Sequence, residues 1–177
     1  MFYYLYRDIA AKAHFLPGGL ALGLPIALLL LCLRNRRRRN SGKEPLPTLP
    51  FLLFWVYFAF ILVLTLLSRE SGSADKPIDL VLFSTLKINR RNNAYAVENI
   101  LLFIPFGLFG AWNSQKKRIL ATTFWGGLFS LTIETLQLVT ARGFFQLDDI
   151  ITNMLGAFLG AVLYRVFFGS YRLLHRM

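Results

Sequence analysis

Between Thr123 and Gly160 the chain reads TFWGGLFSLTIETLQLVTARGFFQLDDIITNMLGAFLG, two apolar segments joined by a short turn around Arg142 and Gly143. Glu134, Gln137, Asp148, Asp149 and Asn153 lie in or beside these segments, where an ionisable group is costly unless it faces protein or water. At helical spacing Thr123, Gly127, Ser130, Glu134 and Gln137 share one stripe of the first segment, because positions three and four apart stack on one face. On the second segment Asp149, Asn153, Gly156 and Gly160 align in the same way, and Gly156 to Gly160 is a small-xxx-small spacing that lets helix backbones approach closely. Three chemistries are open to such a set. A desolvated Glu134 or Asp149 could act as a general acid or base; Glu134, Asp148 and Asp149 could offer oxygen ligands to Mg²⁺ or Ca²⁺; or the carboxylates, amides and Arg142 could together hold a headgroup.

A structural reading accounts for the same residues. Glu134 would pair with Arg142, Asp148 would cap the second segment, and Asp149 would sit at the positive end of its dipole. In a straight helix Glu134 lies about 12 Å along the axis from Arg142, so a direct pair requires the turn to fold back into the bundle. Other catalytic arrangements are absent. His14 and His175 stand at opposite ends of the chain, there is no GxSxG or HExxH, and Cys32 is alone, which removes an internal disulfide and a Cys-based metal site.

The elements that must position these groups are membrane helices. A chain of 177 residues that is 55% hydrophobic, with 17 Phe, is too apolar for an ordinary soluble domain. The pattern predicts a single all-α membrane domain of five spans, at about 16–33, 50–67, 94–112, 119–139 and 148–168. Residues 1–15 suit an interfacial aromatic belt or short amphipathic helix, and no small-residue cleavage site follows the first apolar run. Pro25 predicts a kink in the first span, and Pro105 a bend or break in the third. Residues 34–49 read as a basic loop, and span two as lipid-facing scaffold. Within 68–97 the run DLVLFSTLKI is apolar enough to lie on or re-enter the membrane, although a solvated loop fits as well. The tail, GSYRLLHRM, is basic and amphipathic.

The net charge of +11 reflects Lys and Arg crowded between apolar segments, which points to topogenic charge rather than nucleic-acid binding. Most of the 20 Lys and Arg fall on one side of a five-span chain, in 34–49, 113–118 and the tail. That side is expected in the cytoplasm, with the amino terminus outside and the carboxyl terminus inside. Of the nine acids, Glu44 alone falls on the cytoplasmic side, whereas Glu98, Glu134, Asp148 and Asp149 gather at the outer ends of spans three to five.

NILLFIPFG from Asn99, and IETLQLVTARGFFQLDDIITNMLGAFLG, in this order and separation, resemble the VanZ-like family, whose named member is associated with resistance to the glycopeptide teicoplanin. The tight match covers about 99–160, DLVLFSTLKIN resembles the segment that precedes the third span, and Glu98 stands where the family usually has glycine. The resemblance implies an integral protein of the bacterial cell envelope, with Asn99, Glu134, Gln137, Arg142, Asp148, Asp149 and Asn153 as ligand-binding residues. Its expected partner is a membrane lipid or a lipid-linked cell-wall precursor, bound in an outer-leaflet polar pocket. The alternative is a carboxylate- or metal-dependent enzyme acting on a phospholipid or polyprenyl-linked substrate. The protein is expected as a monomer, or as a homodimer through its small-residue faces.

Overall fold

The computed structural model describes residues 2–67, 72, 78–84, 90–113 and 119–169. In it α1 (Phe2–Lys12) passes through one 3-10 turn, Ala13–Phe15, into α2 (Leu16–Asn40); α3 (Thr48–Leu67), α4 (Arg90–Asn113), α5 (Ile119–Val139) and α6 (Leu147–Gly169) follow. Five helical stretches are long and apolar enough to cross a membrane: Tyr3–Asn40, Thr48–Leu67, Asn93–Asn113, Ile119–Val139 and Leu147–Phe167. The chain is therefore a multi-pass, all-α membrane protein.

Three expectations change. The arginine run is not a loop: α2 continues to Asn40, because Arg is a good helix former and extending a nucleated helix is easy. At roughly 1.5 Å per residue the 38-residue stretch from Tyr3 is far longer than the ~30 Å hydrocarbon core, so it overhangs the bilayer. Pro105 does not break α4, which runs unbroken from Arg90 to Asn113. The Tyr57 hydroxyl of α3 donates to the Leu102 carbonyl of α4 at 2.7 Å, joining the two helices. Lastly, residues 78–79 form a strand. The rest of the 68–97 expectation falls largely on 68–71, 73–77 and 85–89, which lie outside the described residues, as do 114–118 and the tail from 170.

Lipid tails are as apolar as leucine, so close backbone approach rather than greasy area decides which helices pack. α2 buries Gly19, Gly23, Ala27 and Leu31, one residue every four, and turns its other leucines outward except the half-buried Leu30. A Cβ at Gly19 would stand 2.8 Å from the Phe60 Cα, and one at Gly23 2.9 Å from the Val56 Cα, so this stripe is what seats α2 on α3. The most extensive helix contact is between α4 and α6. There a Cβ on Gly107 would strike the Ala157 carbonyl, and Cβ atoms on Gly156 and Gly160 would strike the carbonyls of Ile100 and Ile104. The Gly156–Gly160 face is thus occupied within the chain. Between these contacts lies an aromatic core in which Phe129 stacks on Phe58 at 4.1 Å and on Phe106 at 5.4 Å, beside buried Ile61, Phe103, Ile133 and Ala157.

At the end of the bundle where α3 and α5 finish, β1 (Ile78–Asp79) pairs in parallel with β2 (Phe145–Gln146). α5 closes there in a left-handed cap: Ala141 has φ 53°, its amide donates to Leu138 at 3.2 Å, and the Arg142 amide donates to Gln137 at 2.9 Å. The opposite end carries the arginine turns of α2.

Candidate functional site

The stripe on α5 is buried as its spacing requires, through Gly127, Ser130, Glu134 and Gln137, with Thr123 half-buried at its far end. Glu134 is 2% exposed, and its Oε2 accepts the amide of Gln146 at 3.0 Å. That amide is delivered by the strand pairing, in which Gln146 lies opposite Asp79. Asp148, buried at the start of α6, accepts the Phe83 amide on Oδ1 at 2.6 Å. Phe83 holds φ 59°, a left-handed conformation unusual for an aromatic residue, at the end of a turn braced by Asp79, whose carboxylate takes the Val81 amide and the Ser84 hydroxyl. Two carboxylates therefore latch the connecting strands onto the helix ends through charge-assisted hydrogen bonds.

Gln137 and Arg142 serve α3. The last carbonyls of a helix lack intrahelical donors and carry its negative pole. Gln137 Nε2 donates to the Thr65 carbonyl at 3.0 Å, and Arg142 Nη1 to the Leu66 carbonyl at 3.1 Å. The expected pairing of Arg142 with Glu134 is replaced by this arrangement, because the αL cap swings Arg142 toward α3 while β2 brings its own amide to Glu134. Asn153 Nδ2 donates to Ser130 Oγ at 2.8 Å, tying α6 to α5. Among the described residues the amide oxygens Gln137 Oε1 and Asn153 Oδ1 are buried without a hydrogen-bond partner. Asp149 is half-buried one position beyond Asp148, and its carbonyl, like that of Asp148, accepts from the Thr152 hydroxyl.

Asn99 connects this cluster to a second feature. Its Nδ2 lies 3.5 Å from Thr152 Oγ1, and the residue lines a cavity of about 260 Å³ between the start of α2, α3 and α4. Lys12, Leu16, Tyr57, Phe60, Glu98 and Leu102 also line it. Lys12 Nζ is 2.8 Å from Glu98 Oε2. Lys12, Tyr57 and Glu98 join the site only through the tertiary structure. Nothing local marks Lys12 and Glu98 as partners 86 positions apart. The Gly19-xxx-Gly23-xxx-Ala27 stripe that seats α2 beside the cavity was, by contrast, readable.

The metal expectation finds no matching geometry. Among the described residues no group of three or more His, Cys, Asp and Glu side chains could hold a metal ion, so Glu134, Asp148 and Asp149 do not form a ligand set. The physical reason is local, since backbone amides already approach Glu134 Oε2 and Asp148 Oδ1.

A family model described as VanZ/LLP1 matches residues 49–168, which takes in α3 to α6 and both strands. Protein VanZ of Enterococcus faecium is 38% identical over 68 residues, a stretch covering 38% of this chain and 42% of that protein. The match thus spans less than half the length of that relative. No solved structure matches the chain.

Proposed function

Because the chain belongs to the VanZ/LLP1 family, we propose that it is a protein of the bacterial cytoplasmic membrane that alters sensitivity to teicoplanin-type glycopeptides by holding the headgroup of a lipid or lipid-linked wall precursor at the strand-bearing end of the bundle. One observation carries this reading: the buried Glu134, Gln137, Asp148, Thr152 and Asn153 of α5 and α6 and the cavity lined by Asn99 of α4 lie at the same end. In it Glu134, Asp148, Gln137 and Asn153 keep that end rigid, and Asn99 passes the rigidity to the cavity wall. Holding is favoured over catalysis because Glu134, the best-placed general base, already accepts a backbone amide. The concentration of Lys and Arg at the other end supports an orientation with the cavity and amino terminus outside and the carboxyl terminus in the cytoplasm.

Expression of the full chain in a teicoplanin-susceptible bacterium tests the reading. Tolerance is expected to rise, and Asn99→Leu, which removes the amide from the cavity wall, is expected to cancel the rise while the protein still accumulates in the membrane. Unaltered tolerance with the native chain would overturn the proposal, and full tolerance with the variant would remove the cavity from it.

A further inference from the structure

Holding a lipid leaves its headgroup unspecified, and the pair at the cavity rim narrows it. The Glu98 side chain is 9% exposed and that of Lys12 39%. A carboxylate offers about four acceptor sites. Here Oε2 takes Lys12, while Oε1 is buried with no donor among the described residues. Lys12 has three N–H donors on its better-exposed ammonium, and the ion pair uses one. A sheltered acceptor beside an accessible cation is complementary to a zwitterion whose ammonium N–H groups stand next to a phosphate. The wall below is apolar, through Leu16, Phe60, Leu64 and Leu101.

Resting on the lipid-holding reading, we propose that the cavity takes an amine-bearing zwitterionic phospholipid, its ammonium donating to the Glu98 carboxylate, which turns its buried Oε1 into the cavity, and its phosphate accepting from Lys12. An anionic phospholipid would satisfy Lys12, but it would bring no cationic donor to Oε1 and would set a second negative charge beside the carboxylate. A trimethylammonium lipid matches the charges and has no N–H to donate. At about 260 Å³ the cavity falls just below the roughly 300–1,000 Å³ of pockets that engulf drug-sized ligands, so it accepts the headgroup and the first part of one chain. The remaining chain length stays in the bilayer.

The test is a titration of the full-length, delipidated protein in detergent with short-chain phosphatidylethanolamine, phosphatidylcholine and phosphatidylglycerol, read by native mass spectrometry. Phosphatidylethanolamine is expected to bind about tenfold more tightly than phosphatidylcholine, the scale of one hydrogen bond to a charged group. Glu98→Gln should erase that preference, and Lys12→Gln should weaken phosphatidylethanolamine and phosphatidylglycerol alike. Equal affinity for all three headgroups overturns the amine assignment and leaves lipid holding intact, whereas no retained lipid overturns both. Should Glu98→Gln fail to fold, the headgroup series on the native protein still decides.

Discussion

Glu134 is a buried acid of a membrane bundle and Glu98 a half-buried one, and they are treated in opposite ways. Glu134 lies in the half built by α4, α5 and α6, where glycines bring backbones into contact and a strand amide is delivered to its oxygen. Glu98 faces α1, α2 and α3, where Gly19 and Gly23 also bring two backbones together, but its own partner is a long, partly exposed side chain and a cavity stands beside it. Tight backbone packing leaves a carboxylate nothing to bind but the protein. A loosely filled junction leaves it chemistry to spare. The same residue type is therefore a fastener in one half and a candidate recognition group in the other.

The largest expected effect breaks the tight half itself. Gly160→Leu drives a side chain into the Ile104 backbone of α4, where nothing flexible can yield. The result should exceed the usual cost of overpacking, about 1–3 kcal/mol, and appear as loss of folded protein in detergent by size-exclusion chromatography. Next comes the contrast between the two acids. Glu134→Leu strands the Gln146 amide and should lower stability by about 1–3 kcal/mol, the cost of an unsatisfied buried donor. Glu98→Leu leaves Lys12 able to reach water and should stay within about 1 kcal/mol of the native protein. Thermal unfolding of both variants in one detergent checks the pair, and equal losses would dissolve the distinction. The smallest effect sharpens it. Ala141 occupies an αL cap position that favours glycine, so Ala141→Gly should stabilise the closed end by about 1 kcal/mol, seen as a modest rise in unfolding temperature.

How much of this was legible follows from range. The five spans and the α5 stripe could be read directly, since a 20-residue apolar run and a three-to-four spacing are properties of contiguous sequence. The fifth residue of the stripe, Gln137, was placed correctly on its face, yet its task of capping α3 at Thr65 was invisible, because the pair is separated by 72 positions. The αL cap at Ala141 was missed for another reason: the position is normally marked by glycine, and here glycine comes two residues later.

By itself the sequence determined that this chain enters a membrane, how many times it can cross, and which face of each polar helix must turn inward, because burial cost acts residue by residue. Only the tertiary structure decided which acid is sealed and which lines a cavity. That choice depends on where glycines let backbones meet and where strands deliver amides, and both are set by contacts between segments distant along the chain.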